Sequence, residues 1–155
     1  MATGREWQYL LGHLLLQLFM VGILEETGWR GWMLPHLFKK YNLAKATMIL
    51  APVWCLWHLP KLLGPLAVSG PFLIISLAAS VILSFLWFQY QRNLFLLAIA
   101  HGSVNFPIFF LEHLSEQAYV SSEELLLSWQ YYAAGFALLA IGVVLSKPKI
   151  WYAKS

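Results

Sequence analysis

Apolar residues run in long blocks along this chain, and polar residues gather in short clusters between them. A bilayer core about 30 Å thick takes roughly 20 apolar residues as a helix. The blocks are of that scale. They predict membrane helices over Trp7 to about Leu34, Ala46 to Leu59, Pro71 to Gln89, Asn93 to Leu111, and Leu125 to Leu145. The expected fold class is therefore all-α, a polytopic transmembrane helical bundle of about five membrane helices, built as a single domain over residues 1–155. Connections are marked by "LPHLFKKYN", "HLPKLLGPLAVSGP", "QRN" and "EHLSEQAYVSSEE". Pro52 and Pro107 fall inside predicted helices. Each removes a backbone donor and crowds the carbonyl four residues earlier, so both helices are expected to kink. Trp7, Tyr41, Tyr90, Trp129 and Trp151 lie near span ends, as interfacial aromatic belts do.

Composition strengthens the membrane assignment. Hydrophobic residues make up 60% of the chain and charged ones 11%, against roughly 45–50% and 25% in soluble domains. The stretch Trp7 to Leu24 follows Arg5 as an export signal would. Its apolar part exceeds the usual length of about 7–15 residues and no A-x-A site follows, so it is expected to be retained. Cys55 is the single cysteine; it excludes an intrachain disulfide and is expected to be a small packing residue.

The net charge of +3 is not gathered into a basic cluster with interleaved aromatics, so no nucleic-acid partner is expected. The charge sorts by side instead. With five spans, Lys39, Lys40, Lys45, Arg92, Lys147, Lys149 and Lys154 share one membrane face, and only Arg5 and Lys61 lie on the other. The positive-inside rule makes the lysine-rich face cytoplasmic, with the N-terminus outside, the C-terminus inside, and the cell membrane as the expected location.

Three spans carry polar groups that a simple anchor does not need. The first has Glu25, Glu26 and Arg30. Glu26 and Arg30 stand at i,i+4 in the favourable acid-first order and are expected to pair, while Glu25, about 100° around the helix, is left available. The second has Trp54 and His58 on one face, and the fourth has His101 and Asn105 on one face. Each has a plainer explanation when taken alone: charges at the bilayer edge, a histidine bonding the free carbonyls of a helix end, or polar residues joining helices. Depth favours convergence. At about 1.5 Å per helical residue, Glu25 lies roughly 20 Å from Lys39, His58 roughly 20 Å from Lys45, and His101 and Asn105 roughly 14 and 20 Å from Arg92. Ionisable residues at such depth usually face a cavity and take part in chemistry. Gly28, Gly31 and Gly102 are expected to allow close helix approach, and His13, His36 and His113 to be packing or interfacial residues.

A carboxylate, two imidazoles and a carboxamide around a wet pocket suit water activation and oxyanion stabilisation. Desolvation makes Glu25 a better proton acceptor, His58 holds the water, and His101 and Asn105 donate to the tetrahedral oxyanion. Two histidines and a glutamate also form a common zinc set, here Glu25, His58 and His101. No local H-E-x-x-H arrangement is present, and the requirement, no cofactor or zinc, stays open at this point.

These motifs resemble those of the type II CAAX prenyl protease group, also called CPBP intramembrane metalloproteases or Abi proteins. The group's pattern is E-E-x-x-x-R, F-x-x-x-H and H-x-x-x-N/D on successive membrane helices. Glu25, Glu26 and Arg30, then Trp54 and His58, then His101 and Asn105 follow it in order. The resemblance spans roughly Gly22 to Pro107. It implies an all-helical intramembrane endopeptidase acting on a membrane-associated peptide or protein, in eukaryotic members a prenylated CAAX protein. It further implies that Glu25 and His58 activate water, that His101 and Asn105 form the oxyanion site, and that Glu26 and Arg30 support them. Two departures stand out: Trp54 replaces the usual Phe, keeping an aromatic wall and adding an N–H donor, and relatives usually carry further helices ahead of the E-E motif. A non-catalytic membrane protein, acting in bacteriocin self-immunity or as a scaffold, is the alternative function. A proton-coupled transporter ranks lower, because no two-fold repeat of interrupted helices is evident.

Overall fold

The structure, a computed structural model, describes residues 4–153, with side chains from residue 7 onward. Arg5 as a side chain and Lys154 lie outside the described residues. Helix α1 runs through residues 4–38 and widens to π geometry over Leu16–Gly22 and Thr27–Met33. Between these stretches, Ile23–Glu26 keeps α geometry. Helix α2 spans Leu43–Trp57, the short turn α3 Leu59–Leu62, α4 Leu66–Gln89, α5 Leu94–Glu116, α6 Ser122–Ser146 and the short α7 Pro148–Trp151. No strand occurs among the described residues. The fold is an all-helical polytopic bundle.

Four helices are long and apolar enough to cross a membrane: Trp7–Phe38, Leu66–Gln89, Leu94–Glu116 and Ser122–Ser146. Helix α2 has 15 residues, which at 1.5 Å per residue is about 22 Å and short of a bilayer core. The apolar pattern alone had made it a full span. Helix α4 starts at Leu66, ahead of Pro71, which lies inside the helix; Pro65 at its N-cap, with an extended ψ, ends the preceding connection. Many large apolar side chains point outward, among them Leu66 at 82%, Leu138 at 70% and Leu145 at 73% exposure. Soluble monomers rarely expose apolar surface so widely, and the chain is an integral membrane protein.

Local chemistry sets the helix starts. Asn42 and Asn93 accept from the backbone N–H of Lys45 and Leu96, both at 3.0 Å. Ser121 and Glu124 form a reciprocal capping box. The largest core cluster, with Leu34, Phe38, Leu50, Trp54, Leu83 and Trp87, joins α1, α2 and α4. Lys147 donates to Gln89 at 3.1 Å, and the N–H of Leu43 to the carbonyl of Ala153 at 3.2 Å. The ends of α4 and α6 therefore lie beside the start of α2, on the lysine-bearing face.

Helix α5 meets α1 through glycines. A Cβ on Gly22 would overlap the carbonyl of Ala98, and one on Gly102 would sit 2.9 Å from the carbonyl oxygen of Gln17. Gly102 thus has the expected close approach, and Gly22 shares it. Gly28 does not: nothing lies within 4 Å of its Cβ position, whereas a Cβ on Gly31 would sit 3.2 Å from the Leu94 side chain of α5 and 3.6 Å from the carbonyl oxygen of Glu26. Gly22→Ala is expected to destabilise the bundle by about 1–3 kcal/mol through overpacking, whereas Gly28→Ala is expected to be neutral or stabilising by up to about 1 kcal/mol from helix propensity. Thermal unfolding in detergent checks both, and equal effects at the two glycines would contradict the packing.

Candidate active site

The two adjacent carboxylates of α1 face different partners. Glu26 is fully buried, as is Arg30, and its Oε1 accepts from Arg30 Nη1 at 2.8 Å. The same oxygen lies 2.8 Å from His101 Nδ1 of α5, and a carboxylate can only accept there, so Nδ1 donates. Arg30 also donates to Ser80 Oγ of α4 at 3.3 Å. The expected Glu26–Arg30 pair forms, and it gains partners on two further helices.

Glu25 turns toward α2. Its Oε2 accepts the indole N–H of Trp54 at 2.9 Å, so the donor that Trp adds over Phe is used. His58 Nε2 lies 3.9 Å from that oxygen. The separation is too long for a direct hydrogen bond, and one water can reach both atoms. The Glu25 and His58 side chains are 17% and 27% exposed, against 0% for Glu26 and Arg30. One carboxylate is thus partly open and the other sealed. His58 is held at the C-terminal cap of α2, with α3 starting immediately after it.

Trp54 links the two halves. Its ring meets those of His58 and His101 edge-on, with centroids 5.9 and 5.2 Å apart, and the Arg30 guanidinium lies 4.4 Å from its centroid. Such a contact is favourable for a desolvated guanidinium. Cys55 beside it is buried.

A cavity of about 120 Å³ opens next to His58, lined also by Trp54, Lys61, Asn105, Phe72 and Trp129. Asn105 therefore shares this cavity with His58, while Glu25 is not in its wall and approaches it through His58. His101 stands apart: it is 1% exposed, bonded to Glu26, and absent from the cavity wall. With Nδ1–H given to Glu26, Nε2 of a neutral ring is an acceptor and donates only in the imidazolium form. Asn105 Nδ2 donates to Gln17 of α1 at 3.1 Å, and Gln17 approaches His13 at 3.4 Å. His13 and His113 pack with Tyr9 in a ring stack, and His36 bonds the carbonyl of Trp32.

The zinc set does not assemble. Among the described residues no three His, Cys, Asp or Glu side chains gather as ligands, and His101 is turned to Glu26 with the Trp54 indole against both imidazoles.

A family model described as type II CAAX prenyl endopeptidase Rce1-like matches residues 7–107. The chain belongs to this family. A protein named CAAX prenyl protease 2 from Methanococcus maripaludis is 39% identical over 46 residues. That match is 30% of this chain and 17% of the relative's length, so the chain spans less than a fifth of that relative. No solved structure matches the chain. The family match takes in α1, α2, α4 and most of α5, and with them every residue around Glu25 and Glu26.

Gln17, Ser80, Lys61 and Glu112 were missed by motif reasoning. Gln17 had a signal, as the polar break in "HLLLQLFM" four residues after His13. Ser80 had none beyond being a small polar residue in an apolar helix. Because Glu26 and Arg30 are sealed from water, Arg30→Met is expected to cost about 3–5 kcal/mol by stranding the carboxylate. Glu26→Gln with Arg30→Met is expected to recover part of that loss. Thermal unfolding of the single and double variants measures the coupling, and strictly additive losses would argue against it.

Proposed function

We propose that the chain is an intramembrane endopeptidase that hydrolyses a peptide bond of a membrane-associated substrate, possible substrates including a prenylated CAAX-type protein. The carrying observation is the partly exposed Glu25 and His58 pair, 3.9 Å apart, with His58 and Asn105 lining one cavity. Membership of a type II CAAX prenyl endopeptidase family supports the same chemistry.

The steps follow from the placement. A water bound by His58 gives a proton to Glu25 as its oxygen attacks the substrate carbonyl. The developing oxyanion accepts from the amide of Asn105, a type of contact worth about 3 kcal/mol in the transition state. Collapse breaks the C–N bond, and Glu25 returns the proton to the departing amine, leaving a carboxylic acid and an amine. Trp54 orients Glu25 through its N–H while packing on His58. His101 acts as a positioning residue, fastening Glu26 and bracing the Trp54 ring. General acid–base residues contribute typically 10²–10⁴-fold. Glu25→Gln is expected to lower turnover by roughly that factor with folding intact, as read by mass spectrometry of membrane peptides incubated with each protein. In the same assay, cleavage is expected to persist after exhaustive chelation. Undiminished turnover by the variant removes Glu25 as base, chelation loss restored by added zinc argues for a metal route, and inactive wild type favours the immunity or scaffold role.

The distribution of lysines supports an orientation with the N-terminus outside and the C-terminus in the cytoplasm of the cell membrane. The segment 58–65 and the cavity mouth then face outward. A membrane-impermeant maleimide added to intact cells should label Gln117→Cys and spare Lys147→Cys, and the opposite pattern would reverse the orientation.

A further inference from the structure

A buried polar chain runs along the contact of α1 with α5 and ends at the cavity. Its middle member, Gln17, is 4% exposed and belongs to the π stretch Leu16–Gly22. A Cβ on Gly102 of α5 would sit 2.9 Å from the carbonyl oxygen of Gln17, so the two backbones come close together at this level. Asn105 lies three residues further along α5, not quite one helical turn, and its Nδ2 donates to Gln17 Oε1 at 3.1 Å. On the other side, Gln17 Nε2 lies 3.4 Å from His13 Nε2. An amide nitrogen can only donate, so the imidazole accepts there and carries its proton on Nδ1. His13 is itself held by the stacked Tyr9 ring, with centroids 5.6 Å apart, and by a T-shaped contact with Phe109 at 5.4 Å. A reversed Gln17 amide would set donor against donor at Asn105. The contacts on its two sides therefore agree on one orientation.

We propose that Gln17 is a positioning residue for the reaction: it fixes which way round the Asn105 amide stands, and so where its N–H meets the oxyanion, with His13 as the anchor of Gln17. The proposal rests on the endopeptidase function and extends its machinery to a residue outside the three motifs. A free carboxamide turns about its last side-chain bond between two nearly equivalent states, which exchanges a donor for an acceptor at either position. An oxyanion gains from the donor alone, and the gain is largest when the donor is already in place before charge develops. Gln17 Oε1 removes that freedom by accepting one Nδ2 hydrogen, and the nitrogen has a second to give. Gln17 itself is not in the cavity wall, so it acts through Asn105. Its plainer role is to join two membrane helices, which affects stability and leaves the chemical step alone.

The test uses the detergent-solubilised full chain and a peptide that the wild type cleaves in the mass-spectrometric assay. Gln17→Met removes the acceptor at similar side-chain length and is expected to lower kcat by about tenfold, the scale of one lost hydrogen bond, with KM unchanged. Gln17→Glu keeps an oxygen toward Asn105 and is expected to retain more of kcat than Gln17→Met. In the Asn105→Ala background, Gln17→Met is expected to lower kcat no further, because the group it orients is gone. An unchanged kcat in Gln17→Met, or the same fold loss with and without the Asn105 amide, overturns the proposal even where stability falls. If Gln17→Met does not fold, His13→Phe replaces it, since that variant keeps a ring and removes the acceptor. A several-fold fall in kcat that vanishes in the Asn105→Ala background is then expected, and no fall overturns the proposal. The contact also has a readout without turnover. The chain has three asparagines, Asn42, Asn93 and Asn105, so the asparagine side-chain amide NMR signal missing from Asn105→Ala belongs to Asn105. That signal is expected to shift in Gln17→Met and to return toward its wild-type position in Gln17→Glu. Such a shift in a protein without hydrolysis refutes only the endopeptidase function. Hydrolysis with an Asn105 signal indifferent to Gln17→Met refutes only the positioning role.

Discussion

One carboxylate oxygen, Oε1 of Glu26, ties together most of the bundle. It accepts from Arg30 in its own helix and from His101 on α5, and through Arg30 it reaches Ser80 on α4 and the face of Trp54 on α2. Glu26 and Arg30 are wholly buried, and a buried negative charge persists only where fixed donors replace its hydration. The relation is mutual: α1, α2, α4 and α5 must hold one relative position for the charge to be compensated. The glycine contacts at Gly22 and Gly102 let the backbones come close enough for His101 to reach across.

Against this anchored carboxylate, its neighbour takes on the opposite character. Glu25 and Glu26 have the same side chain and adjacent positions, and differ only in direction around α1. That direction puts one among cations and the other beside an indole and an imidazole. π-helical stretches flank the α-helical turn that carries both residues, and such widenings recur at functional sites. Glu26, bonded through Oε1 to Arg30 and His101, is withheld from a substrate's water by its complete burial. Glu25, held by a single indole N–H, is partly exposed.

The substitution of Trp for the family's Phe also has a local physical reading. Phenylalanine would supply the same edge-on packing against two imidazoles without directing Glu25. The indole adds a donor to that wall and fixes the carboxylate relative to His58. Lys61 at the cavity repeats this economy of parts, since its ammonium both pairs with Glu112 and faces the rings of Phe109 and Trp129.

Much of this was legible in the order of residues. Apolar block lengths foretold an all-helical membrane bundle and i,i+4 spacing paired Glu26 with Arg30, because each depends on neighbours within one or two turns. Spacing also separated the two glutamates correctly. What it could not supply was the rotation and axial shift of one helix against another. Those decide that His101 goes to Glu26 rather than to the cavity, that Asn105 meets Gln17, and that Lys61 finds Glu112 from 51 residues away. Helices that are apolar nearly all round carry little periodic signal to fix such rotations. The packed structure fixes them through glycine contacts, aromatic edges and the need to compensate each charge removed from water.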